Sequence, residues 1–248
     1  MDKFINKDNL FDFIISNEKL LETISNVNKL VVEFPGHDGN SCLSGNYTKR
    51  ELDNGFAEIL AKNGILHIYV FTGPWNWMRD VSVQTVDDII DAVIDHYALP
   101  NDLKIVYTGG SMGGLGALSY AVKGKHKAIS CAVSCPVCDL FAISKFAPFF
   151  AASVYFACAH YDTDYDTAVK SLSPLYFVEQ FPDVDYFILY CDEDDVVTIE
   201  DNALPLIEKM KQRNLKVETL RVHGAKHCEH PTEDILKFVY FIVDSFKK

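Results

Sequence analysis

Short apolar runs alternate with longer amphipathic stretches from about residue 29 onward. Leu30-Val31-Val32-Glu33-Phe34, Lys104-Ile105-Val106-Tyr107-Thr108 and Tyr186-Phe187-Ile188-Leu189-Tyr190 are rich in β-branched and aromatic residues and have strand length. The pattern predicts strands over 29–34, 65–71, 104–109, 128–134, 185–191 and 216–222. Helices are predicted between them, over 51–62, 86–97, 115–122 and 200–213. Near the end, Ile235, Phe238, Val239, Ile242, Val243 and Phe246 repeat at helical spacing, with Thr232 placed to cap the helix. Such alternation predicts an α/β class protein, a mostly parallel sheet of six to eight strands with helices on both faces. Ligands then bind at the carboxyl ends of the strands.

Two segments depart from the alternation. Residues 1–28 read as a helical preface without a leading hairpin. Between the strands ending near 135 and starting near 185 lie about 50 residues, where a simple crossover needs only about 10–12. This stretch, 138–180, carries Phe141, Phe146, Phe149, Phe150, Tyr155, Phe156, Tyr161 and Tyr165. It reads either as an insertion over the strand ends or as an extra helical layer of core. The length suits one domain spanning 1–248.

The chemistry centres on Gly109-Gly110-Ser111-Met112-Gly113, which fits G-x-S-x-G between a predicted strand and a predicted helix. A serine on so tight a turn takes a strained backbone, and glycine neighbours let strand and helix pass close by. The plainer alternative is a packing turn whose serine caps the helix. A serine nucleophile needs a base, and the base needs a carboxylate to orient it. In this arrangement they follow in the order serine, acid, histidine. Asp192, Glu193, Asp194 and Asp195 follow the strand 185–191, and His223, His227 and His230 follow the strand 216–222. A run of four carboxylates is for the most part a solvated loop, so one member at most orients an imidazole. His67 reads as a core histidine within a strand, and His96, His126 and His160 as surface or loop residues. No H-E-x-x-H or comparable metal-ligand spacing occurs.

Together these segments resemble an α/β-hydrolase, in the style of the small esterases and of the catalytic domain of prolyl-oligopeptidase-type peptidases. The resemblance covers roughly residues 29–246. It implies the acid in a segment like G-x-x-D-x-x-V, which places it at Asp194 when Val197 is the closing valine. Cys191 stands where the family has glycine. The resemblance also implies His227 as the base. It implies an oxyanion hole from the backbone N–H of Met112 and of His37, with Pro35-Gly36 where the family has His-Gly; Asp38 follows in the same loop. An insertion at 138–180 often caps the site in this family. Phe146, Phe149 and Phe150 are then candidates to line the substrate pocket, and Trp75 and Trp77 candidates for its wall or for simple packing.

Composition narrows the partners. A formal charge of −12 argues against nucleic acid and anionic membrane surfaces. No apolar run reaches spanning length, and residues 1–8 lack the core of a signal peptide, so a cytoplasmic location is expected. Seven cysteines show no secreted disulfide framework. Cys135-Pro136-Val137-Cys138 is formally C-x-x-C but ends a strand, where small buried hydrophobes are expected. The expected activity is that of a serine hydrolase without cofactor or metal, cleaving esters of small to medium carboxylic acids. The alternatives are a peptidase acting on short peptides and a noncatalytic small-molecule-binding member of the fold.

Overall fold

The computed structural model describes residues 4–25, 27–37 and 51–248. Seven strands form one sheet: β1 (Ile14–Ser16), β2 (Lys29–Phe34), β3 (Leu66–Val70), β4 (Lys104–Gly110), β5 (Ser130–Ser134), β6 (Asp185–Cys191) and β7 (Lys216–Val222). Their spatial order is β1-β3-β2-β4-β5-β6-β7. All pairs are parallel except β1 with β3. Parallel neighbours cannot be joined by tight turns, so each return passes over a face of the sheet. The described residues form eight helices: α1 (Gly55–Lys62), α2 (Asp80–Tyr97), α3 (Met112–Lys123), α4 (Leu140–Phe146), α5 (Pro148–Cys158), α6 (Tyr165–Leu172), α7 (Ala203–Gln212) and α8 (Thr232–Ser245).

Period-two alternation sorts the strand residues into two cores. Leu30, Val32, Phe34, Tyr107 and Val133 pack with residues of α2, α3 and α7. Val31, Val106, Ala132, Phe187 and Leu189 point the other way and pack with Leu60 of α1, with Ile242 and Val243 of α8 and with Phe246 just after it. Every strand from β2 to β6 is covered on both sides, which explains their nearly continuous apolar sequences.

The predicted strands lie where expected, within two residues at their ends. The described residues among the first 28 do not form a helical preface. They hold two 3₁₀ turns, Leu10–Asp12 and Glu18–Leu20, flanking β1. Ile14 pairs with Val70 and Ser16 with Ile68. Buried Asn17 then fixes the segment to the sheet edge: its side chain donates to the carbonyls of Ala57 and Ile65 and accepts from the His67 N–H at 2.8 Å. Helix α2 begins six residues earlier than its periodicity implied, with Asp80 in the first turn, where a negative charge suits the helix dipole. Thr232 is the first residue of α8 rather than its cap; Pro231 holds the cap position and makes no side-chain cap bond. The stretch 138–180 folds as α4, α5 and α6 followed by two 3₁₀ turns. No helix among the described residues is long and apolar enough to cross a membrane.

Candidate active site

Ser111 sits between the last residue of β4 and the first of α3, with φ 56° and ψ −122°. A non-glycine residue takes this conformation only when its surroundings enforce it. Its N–H donates to the carbonyl of Ser134 at 3.0 Å, and its own carbonyl accepts from Val137 at 3.1 Å. The turn is thereby tied to the end of β5. The glycines around it are sterically required. A Cβ on Gly109 would lie 2.5 Å from the Gly113 carbonyl oxygen, and one on Gly113 would lie 2.2 Å from that of Phe34. The G-x-S-x-G spacing therefore reports a real contact between β2, β4 and α3.

Three loops at the carboxyl ends of β4, β6 and β7 converge. His227 Nε2 is 3.0 Å from Ser111 Oγ. His227 Nδ1 is 2.7 Å from Asp194 Oδ2. The carboxylate accepts, so Nδ1 carries the proton and Nε2 is left as acceptor for the serine hydroxyl. Asp194 is itself oriented: its Oδ1 accepts from the backbone N–H of Val196 at 3.0 Å and of Val197 at 2.7 Å. Only 1% of its side chain is exposed, against 19% for that of His227.

The other carboxylates and histidines are placed elsewhere. Glu193 and Asp195 are exposed. Asp192 accepts from the Gly224 N–H at 2.7 Å and contacts His223 at 2.8 Å; the Gly224 bond is the main reason its carboxyl lies below the ordinary range. His230 approaches the Cys135 thiol at 3.7 Å, and burial foremost pushes its imidazole below the ordinary value. His67 pairs with Glu33 at 2.8 Å inside the sheet. His126 lies half-buried in the loop between α3 and β5, 3.0 Å from Asp91.

The candidate oxyanion donors lie on the serine's side of the sheet. Met112 opens α3, and the first N–H groups of a helix have no partner within it. Phe34 pairs with Gly109, so the Pro35-Gly36-His37 turn leaves β2 directly beside the elbow. Asp38 and the rest of that loop lie outside the described residues. The His37 ring is packed among aromatics, stacked on Trp75 at 5.5 Å and 4.4 Å from Phe150, with Trp77 and Phe149 at 5.5 and 5.7 Å. Helix α5 therefore lies against the candidate oxyanion turn.

The five aromatic candidates divide. Trp75, Phe146 and Phe149 are about half exposed, and Phe150 is nearly buried between Phe146 and Phe149. Trp77 does not form a pocket wall. It is fully buried, and its Nε1–H donates to Ser153 Oγ at 3.0 Å, anchoring α5 to the turn after β3. Phe146 also lines a cavity of about 230 Å³ between α4 and the loop after β6, together with Asp195, Asp139 and Asn202. Sequence reasoning missed the Trp77–Ser153 anchor, because a Trp-Asn-Trp triplet carries no sign of which ring turns inward. Cys228, which follows His227 in the chain, brings its Sγ to within 3.7 Å of His227 Nε2. Only adjacency in the chain pointed there.

Comparison with known proteins agrees with this fold. The profile described as the prolyl oligopeptidase family matches residues 75–248. A search of curated proteins gives no match. Among solved structures, Porphyromonas gingivalis dipeptidyl peptidase 4 superposes with a TM-score of 0.70 at 14% identity, over 90% of this chain and 32% of that one. Esterase B from Lactobacillus rhamnosis gives 0.67 at 13% identity, over 92% and 79%. Pyrococcus horikoshii acylaminoacyl peptidase gives 0.70 at 12% identity, over 91% and 37%. The chain thus spans about a third of each peptidase's length and most of the esterase's.

Proposed function

Since the chain belongs to the prolyl oligopeptidase family of α/β-hydrolase serine hydrolases, we propose that it cleaves esters of small to medium carboxylic acids through an acyl-enzyme on Ser111. The observation that carries this reading is the relay from Ser111 Oγ through His227 to Asp194, at 3.0 and 2.7 Å. Ser111 attacks the carbonyl carbon. His227 Nε2 takes the hydroxyl proton and returns it to the leaving alkoxide. Asp194 holds the imidazole in the tautomer that accepts and stabilises the imidazolium. The N–H groups of Met112 and His37 serve the oxyanion. Water, activated by the same imidazole, then releases the acid and restores Ser111.

An apolar acyl group fits the half-exposed rings of Trp75 and Phe149 beside the candidate oxyanion turn, with Phe146 reached from there through Phe150. Short peptides are the second reading, supported by the family itself and by the likeness to peptidases. The discriminating experiment is a panel of p-nitrophenyl esters from acetate to laurate beside dipeptide and tripeptide p-nitroanilides. Ester hydrolysis with kcat/KM well above that for every anilide supports the proposal. Preference for an anilide moves the assignment to the peptidase reading.

A further inference from the structure

Behind the relay, the end of β5 and the loop after β7 bring a second set of donors together. The ligand atoms of Cys135, Cys228 and His230 all lie within 4.8 Å of one another. Cys135 Sγ is 3.7 Å from His230 Nε2. Zinc holds thiolate sulfur at about 2.3 Å and imidazole nitrogen at about 2.0–2.1 Å, so adjacent ligands of a tetrahedral ion stand roughly 3.5–3.8 Å apart. The Cys135–His230 separation already has that length. Two thiols and one imidazole are also the donor set that selects zinc-like cations over magnesium or calcium.

Access and position both matter. Cys228 is exposed, His230 is half-buried and Cys135 is buried, so a cation enters past Cys228 and seats against Cys135. The Cys228 sulfur also lies 3.7 Å from His227 Nε2, the atom that faces Ser111. The same sulfur would lie 3.7 Å from a Cβ on Gly110, so it rests against the nucleophile's turn. The site is continuous with the catalytic edge of the imidazole. Sequence spacing gives no sign of it, because Cys135 comes from a different strand, far from residues 228 and 230 in the chain.

We propose that Cys135, Cys228 and His230 form a binding site for a thiophilic divalent cation of the Zn²⁺ type, and that its occupation reversibly stops the Ser111–His227 pair. On binding, two S–H bonds break, their protons go to solvent, and two sulfur–metal bonds form; His230 contributes a nitrogen lone pair. No oxidant or reductant is involved. The fourth tetrahedral position is left to water or to His227 Nε2, which is one tetrahedral edge from Cys228 Sγ. A lone pair turned toward the cation cannot accept the serine proton, so kcat falls while KM changes little. This inhibition rests on the serine-hydrolase reading; the binding does not.

The test uses the whole purified chain, treated with chelator and then titrated with Co²⁺ and Zn²⁺ alone. The expected result is one Co²⁺ per chain with a thiolate-to-cobalt absorption band in the near ultraviolet, displaced by Zn²⁺. Ester turnover falls roughly tenfold or more with Zn²⁺ and returns with EDTA. Cys228→Ser loses the band, and Zn²⁺ does not lower its turnover below that variant's own metal-free rate. Absence of a thiolate band in the wild type, or equal Zn²⁺ sensitivity in Cys228→Ser, overturns the site. A band without inhibition in a chain that hydrolyses esters overturns the switch. A chain that binds Co²⁺ through thiolate yet hydrolyses nothing leaves the site standing and sinks the hydrolase reading instead.

Discussion

Asp194 and Asp195 differ by one position and share nothing else. One carboxylate is buried, held by two backbone N–H groups and turned onto His227; the other is exposed. Asp194→Asn should therefore lower kcat by roughly 10⁴, the cost of losing the carboxylate that fixes the tautomer. Asp195→Asn should leave the steady-state rate at the wild-type level. A deep loss in Asp195→Asn with none in Asp194→Asn would reverse the assignment. Gly113 makes a second single-residue case. An added Cβ would press on the Phe34 carbonyl, and backbone cannot yield as a side-chain tip does. Gly113→Ala should cost about 1–3 kcal/mol in urea denaturation, the range for overpacking. At this scale the sequence was informative where chemistry and sterics demand one residue type. The elbow glycines and the convergence of Ser111, Asp194 and His227 in that chain order were readable for that reason. The fates of Trp75 and Trp77 were not, since both have positive φ in an irregular turn and only the packed fold decides which ring is inside.

Among the elements, β2 to β6 could be read because each is covered on both faces and largely apolar. β1 could not, because three residues carry no periodicity and its strand character comes from pairing with β3 and from Asn17. Helix α5 is similar: Pro148 to Cys158 is apolar on nearly every side, so its pattern does not tell an inner from an outer face. The structure separates them. Ser153, Val154 and Ala157 face inward, whereas Phe149, Tyr155 and Phe156 face out. If the outward end of α5 borders the acyl group, Phe149→Ala should shift the optimum of the p-nitrophenyl ester series by about one to three carbons. Each methylene there is worth about 0.8 kcal/mol. Trp77→Ala should act differently, costing about 3–5 kcal/mol of stability through lost core volume. Thermal melting and the chain-length profile together separate the two roles. An unchanged profile in Phe149→Ala would remove α5 from the pocket.

On the scale of the molecule, the sheet serves as a rigid base that delivers three loops to one edge. Stability should then respond to protons through groups far from that edge. His126, in the connection from α3 to β5, has its imidazole pushed below the ordinary value of 6.5, chiefly by burial and only partly offset by Asp91. Its folded-state value is lower than its unfolded one, so between the two the unfolded chain binds more protons. The contribution is present above 6.5 and is lost as the pH falls below it. The melting temperature should drop on acidification from about pH 7.5 to about pH 5.5, and by less in His126→Gln. An identical drop in the variant would assign the loss to other groups. The proposed chemistry rests on one oxygen atom, Ser111 Oγ, so the turnover of Ser111→Ala on the best ester of the panel decides it. With the fold intact by circular dichroism, kcat should fall by roughly 10⁴–10⁶. A folded variant that keeps more than about a tenth of wild-type turnover would contradict the account.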